Sequence, residues 1–482
     1  MSSIPAFTVV GAGPAGLAAA YALGQRGLPA TVFEQSDQVG GLSKTVTYKG
    51  FRFDIGGHRF FTKNQEVDTL WREILGEDFL RRPRQSRIHY RDRFFHYPLK
   101  PLNALSGLGP GTSAAVLASF AWRKLLPRQP EESFEDWVSN RFGDKLYRIF
   151  FKTYTEKVWG IPCDQISADW AAQRIRNLNL GRAVLSALGL DGNGKVASLI
   201  DQFDYPRHGP GQMYERMAEK AIALGATLRL GCRVERVSHQ NDRIDSILVR
   251  NQEFTQAWPV ESLISTMPLS ELVLALHPAP PAEVLAAARA LRYRSILTVN
   301  LLVQQAEIVP DTWIYLHSPE VTAGRLQLYK NWSPDMVPDP AWSSVGLEYF
   351  AYEDGSFWNR PDEELIEVAK QDWAKLRLVD DGRVTDGFVV RYPKAYPIYD
   401  AHYRQRIAAI RRYLATLPNL LPVGRYGQFR YNNMDHSIMT SLLAVRRLQG
   451  EDVDPWAVNE EAEYHEERRS PDKASYSRSE PR

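Results

Sequence analysis

Two cysteines in 482 residues, Cys163 and Cys232, are too few and too far apart for a disulfide framework or a metal motif. Their scarcity suits a reducing compartment, and a cytoplasmic location is expected. Charge of one sign is missing as well: 59 basic side chains against 57 acidic ones leave a net +2. That balance gives no general footprint for nucleic acid, so any anionic ligand must be met by local arginines. No apolar run approaches the roughly 20 residues that cross a bilayer, so no integral membrane segment is expected. Met1 to Phe7 lacks the basic start of a secretory signal, and the apolar run behind it has another use. No internal repeat is found.

What is present begins at Thr8-Val9-Val10-Gly11-Ala12-Gly13-Pro14-Ala15-Gly16, where an apolar run breaks into glycines and then into a helical pattern. A second apolar run, Ala30 to Phe33, ends on Glu34. Each part contributes to holding a dinucleotide. Gly11 permits the tight turn, Gly13 admits a pyrophosphate close to the backbone, and Gly16 lets helix and strand pack. The helix start offers unpaired N–H groups and a positive dipole to phosphate. Glu34 is placed to accept from ribose hydroxyls.

The residues after Glu34 favour FAD over a nicotinamide dinucleotide. Gly40-Gly41, then Gly50 to His58 with Gly56-Gly57, let the chain run beneath a second ring system. Near the far end, Gly424-Arg425 and Asn433-Met434-Asp435 precede a helical pattern from His436 to Leu448. A helix start there would stabilise negative charge on a reduced flavin.

The length calls for two or three lobes. The fold class expected is α/β: a Rossmann-type FAD-binding domain, an inserted helical lobe and an antiparallel β-sheet substrate lobe. Residues 1–85, 200–268 and 415–450 are assigned to the first and 100–199 to the second. Residues 86–99 and 269–414 are assigned to the third, and 460–482 to a disordered tail. A hairpin is expected over Ile88 to Tyr97, a helix over Gln212 to Leu224, and mostly strands from 295 to 400.

Taken in order, these blocks resemble UDP-galactopyranose mutase, a flavoenzyme family related to amine oxidases and protoporphyrinogen oxidase. The resemblance runs from the N-terminal glycines to about Leu448. It is carried by Gly56 to Phe61, Ser133 to Trp137, Tyr154-Thr155-Glu156-Lys157-Val158-Trp159-Gly160, Pro206 to Tyr214, Val321 to Arg325, Gly424-Arg425 and Asn433 to Asp435. It implies reduced FAD whose N5 acts as a nucleophile on a nucleotide-activated sugar, with ring isomerisation and no net redox change. NAD(P)H is a possible external reductant, although no second GxGxxG is present to hold it. The alternative is a FAD-dependent oxidoreductase of the amine oxidase or protoporphyrinogen oxidase kind.

The same resemblance assigns roles. Arg325 would clamp the diphosphate, Arg174, with Arg176 as its rival, would be the second arginine, and His58 would respond to the flavin's redox state. Tyr154 and Trp159 would hold the base, and Tyr396 and Tyr431 would line the substrate pocket. Gly11, Gly13, Gly16, Glu34, Gly41, Gly57, Gly424, Arg425, Met434 and Asp435 would hold FAD. Lys330, Trp332 and Ser333 are further candidates for the pocket wall. Two departures stand out. Phe429 occupies the place where the family has the first of two diphosphate-binding tyrosines, with Arg430 as a substitute donor. The asparagine-rich segment after the second arginine is replaced by Asn177 and Asn179 alone.

Overall fold

Five parallel strands, in the order Leu420–Pro422, Ser262–Ser265, Phe7–Val10, Ala30–Phe33 and Thr227–Arg229, form the sheet that carries the glycine motif. They belong to a computed structural model that describes residues 7–168 and 202–459. Arg174, Arg176, Asn177, Asn179 and the 460–482 tail lie outside the described residues. Parallel sheets are covered on both faces, and four of these strands are accordingly almost wholly buried, while the edge strand Thr227–Arg229 is largely exposed. The helix Pro14–Gly24 follows the first strand, with proline at its first turn where no N–H is needed. Its alanines let it pack closely between Gly211–Ala223 and Met434–Leu448, and Ala15 to Gly24 are all buried.

The second large sheet has seven strands, in the order Val384–Pro397, Tyr293–Val303, Ser343–Ala351, Arg325–Leu328, Trp313–Leu316, Ser86–Tyr90 and Arg93–His96. Every neighbouring pair is antiparallel except Trp313–Leu316 with Ser86–Tyr90. The alternation of the strands decides the two faces. Leu297, Val299, Leu301, Val345, Leu347, Leu326, Ile314 and Leu316 lie on one face, in a single apolar cluster with Leu365, Ala369, Trp373 and Leu376. The intervening residues, Thr298, Glu348, Arg325 and Tyr315, run in register across the other face. The next row holds Asn300, Gly346, Gln327, Trp313 and Ser86. A buried sheet face built from polar and aromatic groups is costly unless those groups are paired or serve a ligand.

The 295–400 stretch departs in one place from its strand-rich reading. Asp362–Leu376 is a helix, started by Pro361 and three acids in its first turn, and it covers the apolar face. Its Trp373 is fully buried, so truncation to alanine would cost about 3–5 kcal/mol. A separate four-stranded sheet of Thr255–Pro259, Arg243–Arg250, Arg233–Gln240 and Leu276–His277 also went unforeseen. The hairpin did form, with Arg91 and Asp92 both at positive φ in its turn. Helices Pro101–Leu108, Pro110–Leu125 and Phe134–Phe142 occupy the expected helical stretch. The last is fixed by a Ser133/Asp136 capping box.

Candidate active site

The turn after Phe7–Val10 is held by its own acid. Glu34 Oε2 accepts from the Ala12 amide at 2.7 Å, and Oε1 accepts from the Ser36 amide at 2.9 Å. The carboxylate that sequence reasoning aimed at a ribose thus also braces the glycine turn. Gly11 has φ +97°, and a Cβ there would come within 1.9 Å of Thr266 Oγ1. A Cβ on Gly16 would lie 1.8 Å from the Gly11 carbonyl oxygen. Gly13 differs: its φ is ordinary, and a Cβ would meet nothing closer than Gly41 Cα at 3.7 Å. Packing alone does not demand glycine at Gly13, as expected where a ligand must approach the backbone. Gly13 is also the helix N-cap and supplies no side-chain cap, which leaves the first-turn amides to a phosphate.

Gly41 brings this loop to the large sheet, since a Cβ there would lie 3.1 Å from Gly13 Cα and 3.5 Å from Tyr392 Oη. Gly57 is exposed, next to Gln327. His58 Nδ1 contacts the Gly56 carbonyl at 3.1 Å. Burial lowers the imidazole to about 4, and the positive charges of Arg425 and Arg325 push the same way, so His58 is neutral near pH 7. At the other end of the chain Gly424 has φ +78°, with its amide donated to Thr440 Oγ1 at 2.9 Å. Arg425 donates through Nε to the Ala395 carbonyl and stacks 4.0 Å from the Tyr431 ring centre. Its buried Nη2 has no protein partner. Met434 and Asp435 open the helix Met434–Leu448, capped by Asn433. A bare amide cradle at Gly13, an unpartnered guanidinium nitrogen and a second helix start fit a flavin dinucleotide.

Arg325 occupies the polar face of the large sheet. Its Nη2 lies 2.6 Å from Glu348 Oε2 and donates to Tyr396 Oη at 2.7 Å. Burial opposes the arginine's charge, but the fully buried Glu348 holds its pKa well above the ordinary value. Gln327 Nε2 donates to the other Glu348 oxygen at 2.6 Å, which fixes the carboxylate. Tyr396 and Tyr431 stack with ring centres 5.7 Å apart, and Trp159 meets both rings at 6.2 and 6.4 Å. Tyr154 stacks on His317 at 4.8 Å and meets Tyr315 edge-on. Burial raises the Tyr154 phenol well above its usual range, and it lies within the electrostatic reach of Arg325. Arg325, Tyr154, Trp159, Tyr396 and Tyr431 therefore gather in one aromatic and arginine cluster, while Arg174 and Arg176 lie outside the described residues.

Several candidates serve elsewhere. Phe429 is buried against Tyr293 and Tyr399 in the core beneath the small sheet, so it does not stand in for a clamp tyrosine. Arg430 donates at 2.6 Å to the carbonyls of Trp456 and Val458, which ties down the chain after the last long helix. Trp332 and Ser333 are buried, with Trp332 Nε1 donating to Thr312, and Lys330 binds the Ala306 and Pro340 carbonyls. The bonds of Lys330 and Trp332 are to backbone carbonyls, and the Trp332 ring reaches the Gly57 turn. Glu348, Gln327 and Tyr315 were missed. Gln327 alternates with leucines in the strand of Arg325, but Tyr315 and Glu348 carry no such pattern, and only the register places them beside Arg325. Lys157 is structural, because its Nζ donates to the carbonyls of Leu316, Ser318 and Ala323, just ahead of Arg325.

A glycine-turned parallel sheet joined to a sheet with a polar, arginine-bearing face defines a flavin-dependent enzyme. The chain belongs to the flavin containing amine oxidoreductase family, whose profile matches residues 14–449. Protoporphyrinogen oxidase 2 of Arabidopsis thaliana is 22% identical over 468 residues, covering 87% of this chain and 89% of that protein. Among solved structures, a reduced UDP-galactopyranose mutase superposes with TM-score 0.82 at 22% identity, covering 95% of this chain and 98% of that one. A putative protoporphyrinogen oxidase from Exiguobacterium sp. 255-15 gives TM-score 0.69 at 19% identity, with 93% and 100% covered. These superpositions share the fold. Among the described residues no helix is long and apolar enough to cross a membrane, and no group of side chains could hold a metal ion.

Proposed function

We propose that this enzyme isomerises the ring of a nucleotide-activated sugar, using FAD in its reduced form with NAD(P)H as one possible external reductant. The observation that carries this reading is the placement of Arg325 between Tyr396 and Glu348, within reach of the Tyr154 phenol. A guanidinium walled by aromatic rings suits a leaving diphosphate joined to a base. When bound, reduced flavin supplies the nucleophile. Arg325 would then orient and stabilise the departing phosphate, and Tyr154 and Trp159 would pack the base. Tyr396 and Tyr431 would exclude water from the reacting carbon. The likeness to UDP-galactopyranose mutase in motif order and in fold supports the same reading. The proposed cofactor residues are Gly11, Gly13, Gly16, Glu34, Gly41, Gly57, Gly424, Arg425, Met434 and Asp435. The lobe boundaries given above remain a proposed division.

The test is to reduce the flavin protein with dithionite and incubate it with a panel of nucleotide sugars. Ring-isomerised product that requires reduced flavin supports the reading; its absence across the panel overturns it.

A second reading is net oxidation of a small molecule, and one observation favours it. Glu348 neutralises Arg325 inside the protein, which weakens the pull on a diphosphate. Substrate-dependent reduction of an electron acceptor or of oxygen would establish it.

A further inference from the structure

The helix Pro110–Leu125 has its polarity inside out. A surface helix ordinarily turns its apolar stripe to the core and its polar face to water. Here Ala114, Leu117, Ala118, Ala121, Trp122 and Leu125 recur three and four residues apart on one side, and all are exposed. The polar side chains point inward instead. Ser113 Oγ donates to the Leu105 carbonyl at 2.6 Å, Ser119 Oγ accepts from the Lys145 amide at 3.1 Å, and Arg123 pairs with Asp144 at 2.7 Å. Trp122 is 57% exposed and Leu125 78%, and Leu126 just past the helix is 53% exposed. Leu102, on the adjoining helix Pro101–Leu108, is 62% exposed. Single exposed apolar residues need no explanation, but an apolar helix face does.

Charge decides what covers it. No acidic residue occurs from Arg93 to Pro130, a stretch that holds Arg93, Lys100, Arg123, Lys124 and Arg128. Arg123 and Arg128 are neutralised by acids behind the helix, Asp144 and Glu135. Lys100, Lys124 and Lys145 are exposed and form no ion pair among the described residues. A second copy of the chain, docked face to face, would set these lysines against their own twins. A bilayer of anionic lipid meets both features, with acyl chains for the tryptophan and leucines and phosphate for the lysines. The helix has 16 residues, a length suited to lying along such a surface. The chain enters these helices from Tyr97, whose ring centre is 4.3 Å from that of Tyr315, so the patch adjoins the substrate face.

We propose that the outer face of Pro110–Leu125, with Leu102 and Leu126 beside it, docks this enzyme on an anionic lipid bilayer, the helix lying in the plane of the lipid headgroups. The proposal does not depend on the nucleotide-sugar reading. The test is sedimentation of the holoenzyme with vesicles of mixed phosphatidylglycerol and phosphatidylcholine, and with vesicles of phosphatidylcholine alone. The mixed vesicles bind about tenfold more tightly, the effect of two or three lysines near an anionic surface. Trp122→Gln/Leu125→Gln weakens binding to the mixed vesicles by about tenfold or more, because two apolar side chains no longer enter the lipid. Lys100→Gln/Lys124→Gln lowers the preference for anionic lipid severalfold. All four positions are exposed, so both variants keep native flavin content. No sedimentation with either kind of vesicle, or binding that ignores both double substitutions, overturns the proposal. A dimer seen by light scattering that Trp122→Gln/Leu125→Gln dissociates, without vesicle binding, assigns the face to a second copy and overturns it as well.

Discussion

Arg325 and Glu348 face each other across adjacent strands, paired in register, with the guanidinium Nη2 2.6 Å from Glu348 Oε2. The carboxylate is fully buried and the arginine is 17% exposed. Such a pair contributes little net stability, yet losing either member leaves an uncompensated charge inside the protein. Its value is positional: it holds one guanidinium at a fixed place on the polar face while Tyr396 takes a hydrogen bond from the same nitrogen.

Removing one partner should therefore cost more than removing both. Glu348→Gln and Arg325→Ala are each expected to lower stability by about 3–5 kcal/mol. The double change Arg325→Met/Glu348→Leu should recover most of that loss. Urea denaturation followed by flavin fluorescence checks it. Equal losses in the singles that add in the double would show that the pair is not coupled.

Arg325→Ala also separates chemistry from cofactor binding. The residue makes no contact with the glycine turn, so flavin content should stay within a small factor of the native protein. Turnover of the substrate should fall by about a hundredfold or more, the effect of losing one fixed transition-state donor. Flavin absorbance per protein and steady-state rates measured together decide the point. A variant that turns over normally removes Arg325 from the mechanism.

The glycine motif makes a sharper prediction, because its three glycines are required for different reasons. Gly11→Ala and Gly16→Ala place a Cβ within 2 Å of Thr266 Oγ1 and of the Gly11 carbonyl, and should fail to fold. Gly13→Ala meets only Gly41 Cα at 3.7 Å and should fold, but without flavin. Circular dichroism alongside the ratio of flavin to protein absorbance tests this. A Gly13→Ala protein with full flavin would show that no phosphate approaches there.

This difference also marks how far the sequence can be read. The glycine spacing, the acid after the second strand and the apolar alternation of Leu297 to Val303 are local patterns, and each specified its element. Glu348 was not readable, because in sequence it is one polar residue in an apolar strand; only the register with Arg325 gives it a role. Phe429 stands out in sequence only as a departure from the resemblance, and its place was not readable: its left-handed backbone, φ 48°, accompanies a side chain buried in the core. The helix Asp362–Leu376 was legible in its proline and acidic start, but strand-like neighbours on both sides concealed it.

Two titratable groups, the partly buried His58 and the buried Asp54, set opposite pH dependences. Burial lowers His58 to about 4 from 6.5, so the unfolded chain takes up a proton that the native state refuses as pH falls through that window. Native stability drops there. Burial raises Asp54 to about 7 from 3.8, so its neutral form favours the native state at low pH and that contribution is lost as pH rises through 7. His58→Gln should therefore flatten the loss of melting temperature between pH 6.5 and pH 4.5. Asp54→Asn should flatten the loss between pH 5 and pH 8. Melting curves across pH for the two variants, compared with the native protein, measure both slopes. An unaltered slope in either variant shows that the group titrates alike in both states.

Lys157 supplies the last test, since it connects the helix bearing Tyr154 to the strand bearing Arg325. Its Nζ donates to the carbonyls of Leu316, Ser318 and Ala323, which bracket the turn between the strands of Tyr315 and Arg325. Lys157→Met keeps the length of the side chain and removes the charged donor from three carbonyls, of which Ser318 keeps the Val321 amide. A single buried group left unsatisfied costs about 1–3 kcal/mol, so a loss at the upper end is expected. The displaced turn carries Arg325 with it but leaves the glycine loop untouched. Substrate KM should consequently rise severalfold at unchanged flavin content. Stability lost with KM unchanged would confine Lys157 to the fold and separate the turn from the placement of Arg325.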